Sequence, residues 1–369
     1  DQHILMKIDI NRFNENRIST RLWPGIISTL DTRVHKPYML FLRGIYLIAL
    51  NFICLKHPSL MTKTSFSQFR PFISVLFSMN RFLQMIDDHS KETFVKLHID
   101  RQAGLDVRNG LTKNINRSMI GQFTRYYIQS KQDFMNKVKP FYVVFKNENG
   151  IDAGGLRREL ASELIKDINE EKIGLFIKTP NGRNHEGKYQ ECKIPSPDPA
   201  ISSSWRFYEA IGALISIGIR TRIQQPDLLF PPLFWNFLIT GNLTIEDIYD
   251  IDKSYKNLVT NIFLDAKKMS DDEFERQYSS ISFLNSRGNQ IKVGSLSSLF
   301  SSRKIKKDNC QRIIAECNEA RLSELRIPLE SIRTGFWENM NFQQPLFVTP
   351  NLIELLACGD RIISSEKLK

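Results

Sequence analysis

The feature that most constrains the fold is a glycine-containing loop between a short apolar run and an amphipathic segment. Residues 141–145 read FYVVF, and their aromatic and β-branched side chains predict a buried strand. The following residues, 147–160, read NENGIDAGGLRREL. The Asn-Gly pair predicts a turn, the Gly-Gly pair permits backbone angles that a Cβ would prevent, and a helix is predicted from near Leu156. The segment therefore predicts a strand, a sharp corner and a helix.

The polar residues of this loop have structural and functional interpretations. Asp152 can accept hydrogen bonds from the free amides at the helix start. Arg157, Arg158 and Glu159 favour a structural ion-pair network at the helix start, and a catalytic role is the alternative. Gly154 and Gly155 could also cradle an anion. Their spacing, however, fits neither the dinucleotide-binding nor the P-loop glycine pattern, so a structural corner is favoured.

The segments before the loop predict packed helices and one strand. Met79 to Ile86 has apolar residues at helical spacing, and residues 94–99 alternate as a half-buried strand does. The apolar run at 38–55 is nearly long enough to cross a membrane. Arg43 interrupts it at a cost of about 2.5 kcal/mol or more at a bilayer centre. We therefore expect a buried helix there and no membrane span.

The composition is that of a globular protein with an ordinary core, because 41% of the 369 residues are hydrophobic and 25% are charged. A net charge of +11 could indicate a nucleic-acid partner. The basic residues are scattered, however, and the densest run, at 303–307, lacks interleaved aromatic residues. We therefore expect no nucleic-acid binding, with a solvated charged surface as the explanation.

The five cysteines show no CxxC spacing, which favours a reducing compartment and excludes a disulfide framework or a zinc-binding pattern. We expect an intracellular protein of the cytoplasm, with the nucleus left open. Because the chain opens on Asp1, we also expect a piece of a longer polypeptide.

Residues 150–159, GIDAGGLRRE, resemble the signature that opens the amino-terminal lobe (N-lobe) of HECT-type E3 ubiquitin ligases. Further segments resemble the family's landmarks in the same order: FYEAIGALISIG at 207–218, LFPPLFWNFLITGNLTIEDIYDID at 229–252, IRTGFW at 332–337 and LFVTPNLIELLACG at 346–359. In the first of these landmarks, Gly212 and Gly218 are expected to let another helix approach closely. Because several landmarks occur in the same order as in the family, chance does not explain the resemblance.

The resemblance implies a mainly α fold with small β-sheets (α+β), similar to a HECT N-lobe. Residues 1–93 would be a helical upstream region and 94–369 the N-lobe. Within it, 94–252 with 326–369 would form a large subdomain and 253–325 a small one that binds a ubiquitin-conjugating E2 enzyme.

The resemblance also implies the chemistry. A HECT ligase accepts ubiquitin from an E2 onto its own cysteine and passes it to a substrate lysine, without a cofactor. The expected partners are therefore an E2, ubiquitin and a protein substrate. That cysteine belongs to a carboxyl-terminal lobe, so no catalytic residue is expected in this chain, and Cys358 is expected to be structural. The alternative is a non-catalytic E2-binding or scaffold protein.

Within the predicted small subdomain, spacing and chemistry indicate apolar side chains that could be exposed and contact an E2. Each could also be a core residue. The candidates are Phe263, Leu264, Met269, Phe274, Phe283 and Ile314.

Overall fold

The computed structural model describes most of the chain from residue 75 onward. The described ranges are 75–91, 93–135, 140–148, 154–197, 205–278, 281–291, 305–345 and 347–359. The chain divides into two compact units, residues 1–85 with 344–352 and residues 86–343 with 353–369. The apolar run at 38–55 and Asp152 lie outside the described residues.

The described part of the chain is mainly helical, as predicted. The helices are α1 (Val75–His89), α2 (Arg101–Arg108), α3 (Met119–Gln129), α4 (Gly155–Asn169), α5 (Pro180–Asn184), α6 (Trp205–Arg220), α7 (Pro232–Thr240), α8 (Ile245–Ile251), α9 (Lys253–Lys268), α10 (Asp271–Tyr278), α11 (Cys310–Met340) and α12 (Pro350–Cys358). Short 3₁₀ turns lie at Ile115–Arg117 and Lys131–Met135. Four strands, β1 (Val95–Ile99), β2 (Phe141–Phe145), β3 (Phe176–Lys178) and β4 (Lys193–Pro195), form two small sheets. The mainly α class with small sheets is confirmed.

We call the loop at 147–155 the glycine corner. The sheet that leads into it is a parallel pair of strands, in which Val95 of β1 is opposite Phe141 of β2. Side chains of α3 cover the outer edge of β1. The His98 amide donates to Tyr126 Oη at 3.2 Å, and the Asp100 amide donates to Gln122 Oε1 at 2.8 Å. These bonds satisfy edge groups that would otherwise need water or another strand.

The glycine corner itself begins α4 without a side-chain cap from the residue before it. Gly154 has φ 107°, a left-handed conformation that L side chains rarely adopt, and α4 starts at Gly155. Leu160, Leu164 and Ile168 are all buried along one side of α4. The predicted strand and amphipathic helix are confirmed, and the Asn149-Gly150 turn lies outside the described residues.

The centre of the larger unit is the crossing of α6 with α11, two helices that pack together more extensively than any other pair in the described chain. A Cβ on Gly212 would meet the Ile332 carbonyl oxygen, and one on Gly335 would meet the Glu209 carbonyl oxygen. Both glycines therefore allow two backbones to touch, which confirms the expectation for Gly212.

The same expectation is wrong for Gly218. A Cβ there would meet the Ile223 carbonyl and the Gln225 side chain, which belong to the loop after α6. The close neighbour is a loop because α6 ends two residues later, at Arg220, and the chain turns back on itself.

Candidate partner-binding surface

The region predicted to be the small subdomain consists, in its described part, of α9, α10, the 281–291 loop and the first half of α11. Helix α9 packs against both α10 and α11. Its inward side chains are Tyr255, Val259 and Ile262, which are almost completely buried. The opposite side of α9 is consequently left toward solvent.

Three of the six candidate contacts lie in the interior. Phe274, Phe283 and Ile314 are 0%, 4% and 2% exposed, so the exposure predicted for them is wrong. The Phe274 ring packs on Tyr278 at 4.8 Å, and the Phe283 ring meets the edge of Tyr255 at 6.2 Å. They are buried because a unit this small has few other bulky side chains with which to fill its core.

The other three candidates remain accessible. Leu264 is 46% exposed, and Phe263 and Met269 are half-buried. They lie in the last turns of α9 and at the residue that follows it, and we call this set the α9 surface. Leu284 in the 281–291 loop is 47% exposed and was missed by sequence reasoning. E2 binding by Phe263, Leu264 or Met269 stays a prediction.

Polar contacts fix the carboxyl-terminal end of α9 where the surface lies. Lys307 donates to the Met269 carbonyl oxygen and pairs with Asp271 at 3.0 Å. The Tyr278 hydroxyl donates to Asp265 at 2.5 Å. Burial, together with the Asp265 carboxylate, raises the pKa of Tyr278 to about 12. The hydroxyl therefore stays protonated and keeps donating across the physiological pH range.

A buried ion pair anchors the opposite end of α9. Asp252 caps the helix by accepting from the Tyr255 amide at 2.9 Å. Its second oxygen pairs with Arg321 of α11 at 2.8 Å, and the Arg321 side chain is fully buried. Arg321 also donates to the Leu284 carbonyl at 2.8 Å and lies over the Tyr255 ring. One guanidinium thus joins α9, α11 and the 281–291 loop, and we call this arrangement the Arg321 junction.

The 281–291 loop has a second attachment to α11. The Ser286 amide and hydroxyl both donate to Glu324, at 3.0 and 2.7 Å. Burial raises the pKa of Glu324 above its usual value, against the lowering effect of Arg321 and of these two bonds.

Of the charged residues that follow the glycine corner, Glu159 forms an ion pair and Arg158 does not. Glu159 pairs with Arg101 at 2.5 Å, and Arg101 also reaches Glu148 at 2.9 Å. The hydrogen bond that Arg101 donates to Glu159 is the main reason that the pKa of Arg101 is raised. Arg158 is exposed and pairs with no carboxylate among the described residues. The ion pair predicted for the corner therefore uses Glu159 and not Arg158.

Comparison with known families decides what kind of chain this is. A model of the HECT domain, described as a ubiquitin-transferase domain, matches residues 162–369, which is more than half of the chain. The chain belongs to the HECT-domain family. This confirms the family resemblance, and the match covers the landmarks at 207–359 but begins after the glycine corner.

The HECT relatives are large proteins. The chain is 26% identical over 230 residues to the E3 ubiquitin-protein ligase HERC2 of Homo sapiens, a match that covers 62% of the chain and 4% of HERC2. It is 26% identical over 168 residues to the probable E3 ubiquitin-protein ligase HUL4 of Eremothecium gossypii, covering 46% of the chain and 19% of that protein. It is 24% identical over 213 residues to UPL2 of Arabidopsis thaliana, another E3 ubiquitin-protein ligase. The chain thus spans only a small part of the length of these relatives.

Within this HECT chain, three of the described cysteines are buried: Cys310, Cys317 and Cys358. Burial raises the pKa of the Cys317 thiol to about 12, far from the range of a reactive thiolate. Cys358 is the last residue of α12, and Gly359 after it has φ 80°. Its place at a helix end agrees with the structural role expected for it.

The described ranges contain neither a metal-binding cluster nor a membrane-spanning helix. No group of three or more His, Cys, Asp or Glu side chains there could hold a metal ion. None of the helices in those ranges is long and apolar enough to cross a membrane.

Proposed function

We propose that this HECT chain docks a ubiquitin-charged E2 on the α9 surface, as the N-lobe part of an E3 ubiquitin ligase. Ubiquitin would then pass to a cysteine of a carboxyl-terminal lobe and onward to a substrate lysine. None of the five cysteines of this chain takes that role in the proposal. The observation that carries it is the 46% exposure of Leu264 in a subdomain whose other large apolar side chains mostly lie inside.

The packing of the subdomain supports this proposal physically. An exposed leucine beside half-buried aromatic and thioether side chains offers an apolar contact with little loss of side-chain entropy on binding. The Arg321 junction at one end of α9 and the Lys307 contacts at the other hold that contact in place. A surface fixed before binding costs less to order when the partner arrives.

A matched pair of substitutions tests E2 docking. Leu264→Glu places a charge on the α9 surface. The control, Leu111→Glu, places a charge at a 76% exposed leucine outside that surface. We expect Leu264→Glu to weaken binding of a ubiquitin-charged E2 by about 2 kcal/mol, or ~30-fold, as for a central interface residue. Surface plasmon resonance against a broad E2 panel measures it. Unchanged affinity of Leu264→Glu, or no binding by any E2, would refute docking at this surface.

A separate experiment tests the transfer of ubiquitin. Full-length protein is incubated with the E2 that binds, and a ubiquitin adduct that a thiol reductant removes is expected from a ligase. E2 binding without such an adduct would instead support the alternative function, an E2-binding scaffold that does not transfer ubiquitin.

A further inference from the structure

The solvent-facing side of α9 carries basic residues at both of its ends. Four exposed lysines lie there: Lys253, Lys256, Lys267 and Lys268. Because each residue turns an α-helix by about 100°, their spacing places them within roughly 120° of one another around the helix, with Leu264 between them. At about 1.5 Å per residue they span roughly 22 Å along the axis. We call these four residues the lysine stripe.

The lysine stripe has no counter-charge of its own. None of its four ammonium groups pairs with a carboxylate of the described residues. Asp265, the one carboxylate in the sequence of α9, accepts from the Tyr278 hydroxyl instead. Asp252 and Asp271, beside the two ends of the helix, are each paired with another cation. The stripe therefore presents positive charge on both sides of the exposed Leu264.

The stability of α9 does not account for the two lysines at its start. Lys253 is the first residue of the helix and Lys256 is the fourth. A cation in the first turn opposes the positive end of the helix dipole, and two cations three positions apart repel each other. Glu or Gln would solvate these positions equally well. Positive charge placed around an apolar contact instead matches a partner that carries acidic side chains around its own contact.

We propose that the lysine stripe selects E2 enzymes whose contact surface carries Asp and Glu side chains. This proposal rests on E2 docking at the α9 surface and adds the chemistry of the partner. Charges at the rim of an interface act mainly on the association rate, because they steer the approach before the apolar side chains meet. The central Leu264 acts mainly on the dissociation rate. The two contributions are therefore measured separately.

The first test compares two sets of four substitutions in the whole 369-residue chain. One set changes every lysine of the stripe to Gln. The control set changes four exposed lysines outside the small subdomain to Gln and so removes the same charge: Lys96, Lys113, Lys172 and Lys178. With the E2 of the panel that binds most tightly, the association rate at about 50 mM salt should fall about fivefold or more in the stripe set and less than about twofold in the control. The rate of the parent chain should also fall more steeply with added salt than the rate of the stripe set.

The outcomes separate this proposal from E2 docking itself. An unchanged association rate in the stripe set, beside weakened binding by Leu264→Glu, overturns the selection while docking stands. Equal loss in the two sets shows an effect of net charge alone and also overturns it. No binding of the parent chain to any E2 refutes docking and the selection together.

A second test identifies the groups that the stripe meets. A carbodiimide joins an amine to a carboxylate in direct contact, forming an amide while the reagent takes up the water that is lost. Mass spectrometry of the treated complex should find stripe lysines joined to Asp or Glu of the E2. Absence of such links while the E2 is bound contradicts the proposal.

A nucleic acid is the other class of occupant for a basic helix face. A single-stranded RNA of about 20 nucleotides serves as the probe, since stretches of roughly 4–16 nucleotides occupy single-strand binding sites. RNA binding that only the stripe set abolishes, together with an unchanged E2 association rate, would overturn the proposal in favour of nucleic acid. RNA binding that is absent, or equal in the two sets, beside slower E2 association in the stripe set alone supports it.

Discussion

Removal of the buried Arg321 guanidinium is the sharpest test of how α9, α11 and the 281–291 loop are held together. Arg321→Met keeps most of the side-chain volume but leaves the buried Asp252 carboxylate unpaired and the Leu284 carbonyl without its donor. Breaking a buried ion pair from one side costs about 3–5 kcal/mol. Helix α9 should therefore open much more often in the variant than in the parent chain.

Hydrogen exchange converts this cost into a measurable rate. At 1.36 kcal/mol per factor of ten, the α9 and 281–291 amides should exchange roughly 10² to 5 × 10³ times faster in Arg321→Met. Amides of β1 and β2 serve as the internal reference, since these strands lie outside the predicted small subdomain. Acceleration below tenfold, or equal acceleration in β1 and β2, would refute the reasoning.

A second substitution separates the charge from the packing. Asp252→Asn keeps a good helix cap while removing the negative charge. The double variant with Arg321→Met then buries no unpaired charge, so it should lose less stability than the two single variants added together, by about 0.5–3 kcal/mol. Simple additivity of the two single effects would show that the ion pair contributes nothing beyond packing.

Two further predictions concern helix α11. Gly335→Ala should destabilise the chain by about 1–3 kcal/mol, since the new Cβ meets the Glu209 carbonyl oxygen at the α6–α11 crossing. Thr334→Ala, at the preceding and exposed position, should not, and urea unfolding compares the two variants. Glu324→Gln should gain stability over the parent as pH rises above 4.5, the ordinary pKa of this group. In the folded parent the pKa of Glu324 is raised above its value in the unfolded chain. Glu324 therefore contributes its full stabilisation below the unfolded-state pKa, and this stabilisation is lost as pH rises through the folded-state pKa. A melting-temperature difference that does not change with pH would contradict this.

Local signals in the sequence located several elements correctly. The strand at 141–145 and the helix from Gly155 follow from side-chain shape and from glycines within a few residues of one another. Such features form wherever the segment lies in a fold, so no knowledge of tertiary contacts was needed.

Features that depend on distant residues were not predictable in this way. Asp252 and Arg321 are 69 residues apart, and nothing in either neighbourhood indicates that one pairs with the other. Apolar spacing likewise identified Phe274 and Ile314 as candidates but could not say which side of the helix faces inward.

The crossing of α6 with α11 has a consequence for how the chain is made. Fourteen of the sixteen residues of α6 are buried in the finished fold, yet α11 ends 120 residues after α6, counting from Arg220 to Met340. At about 5–20 residues per second, a ribosome needs roughly 6–24 s to synthesise that stretch. During that interval α6, which is apolar on nearly every side, cannot yet pack against α11. Nascent chains of this protein should therefore depend on chaperones that shield apolar helices until synthesis reaches residue 340.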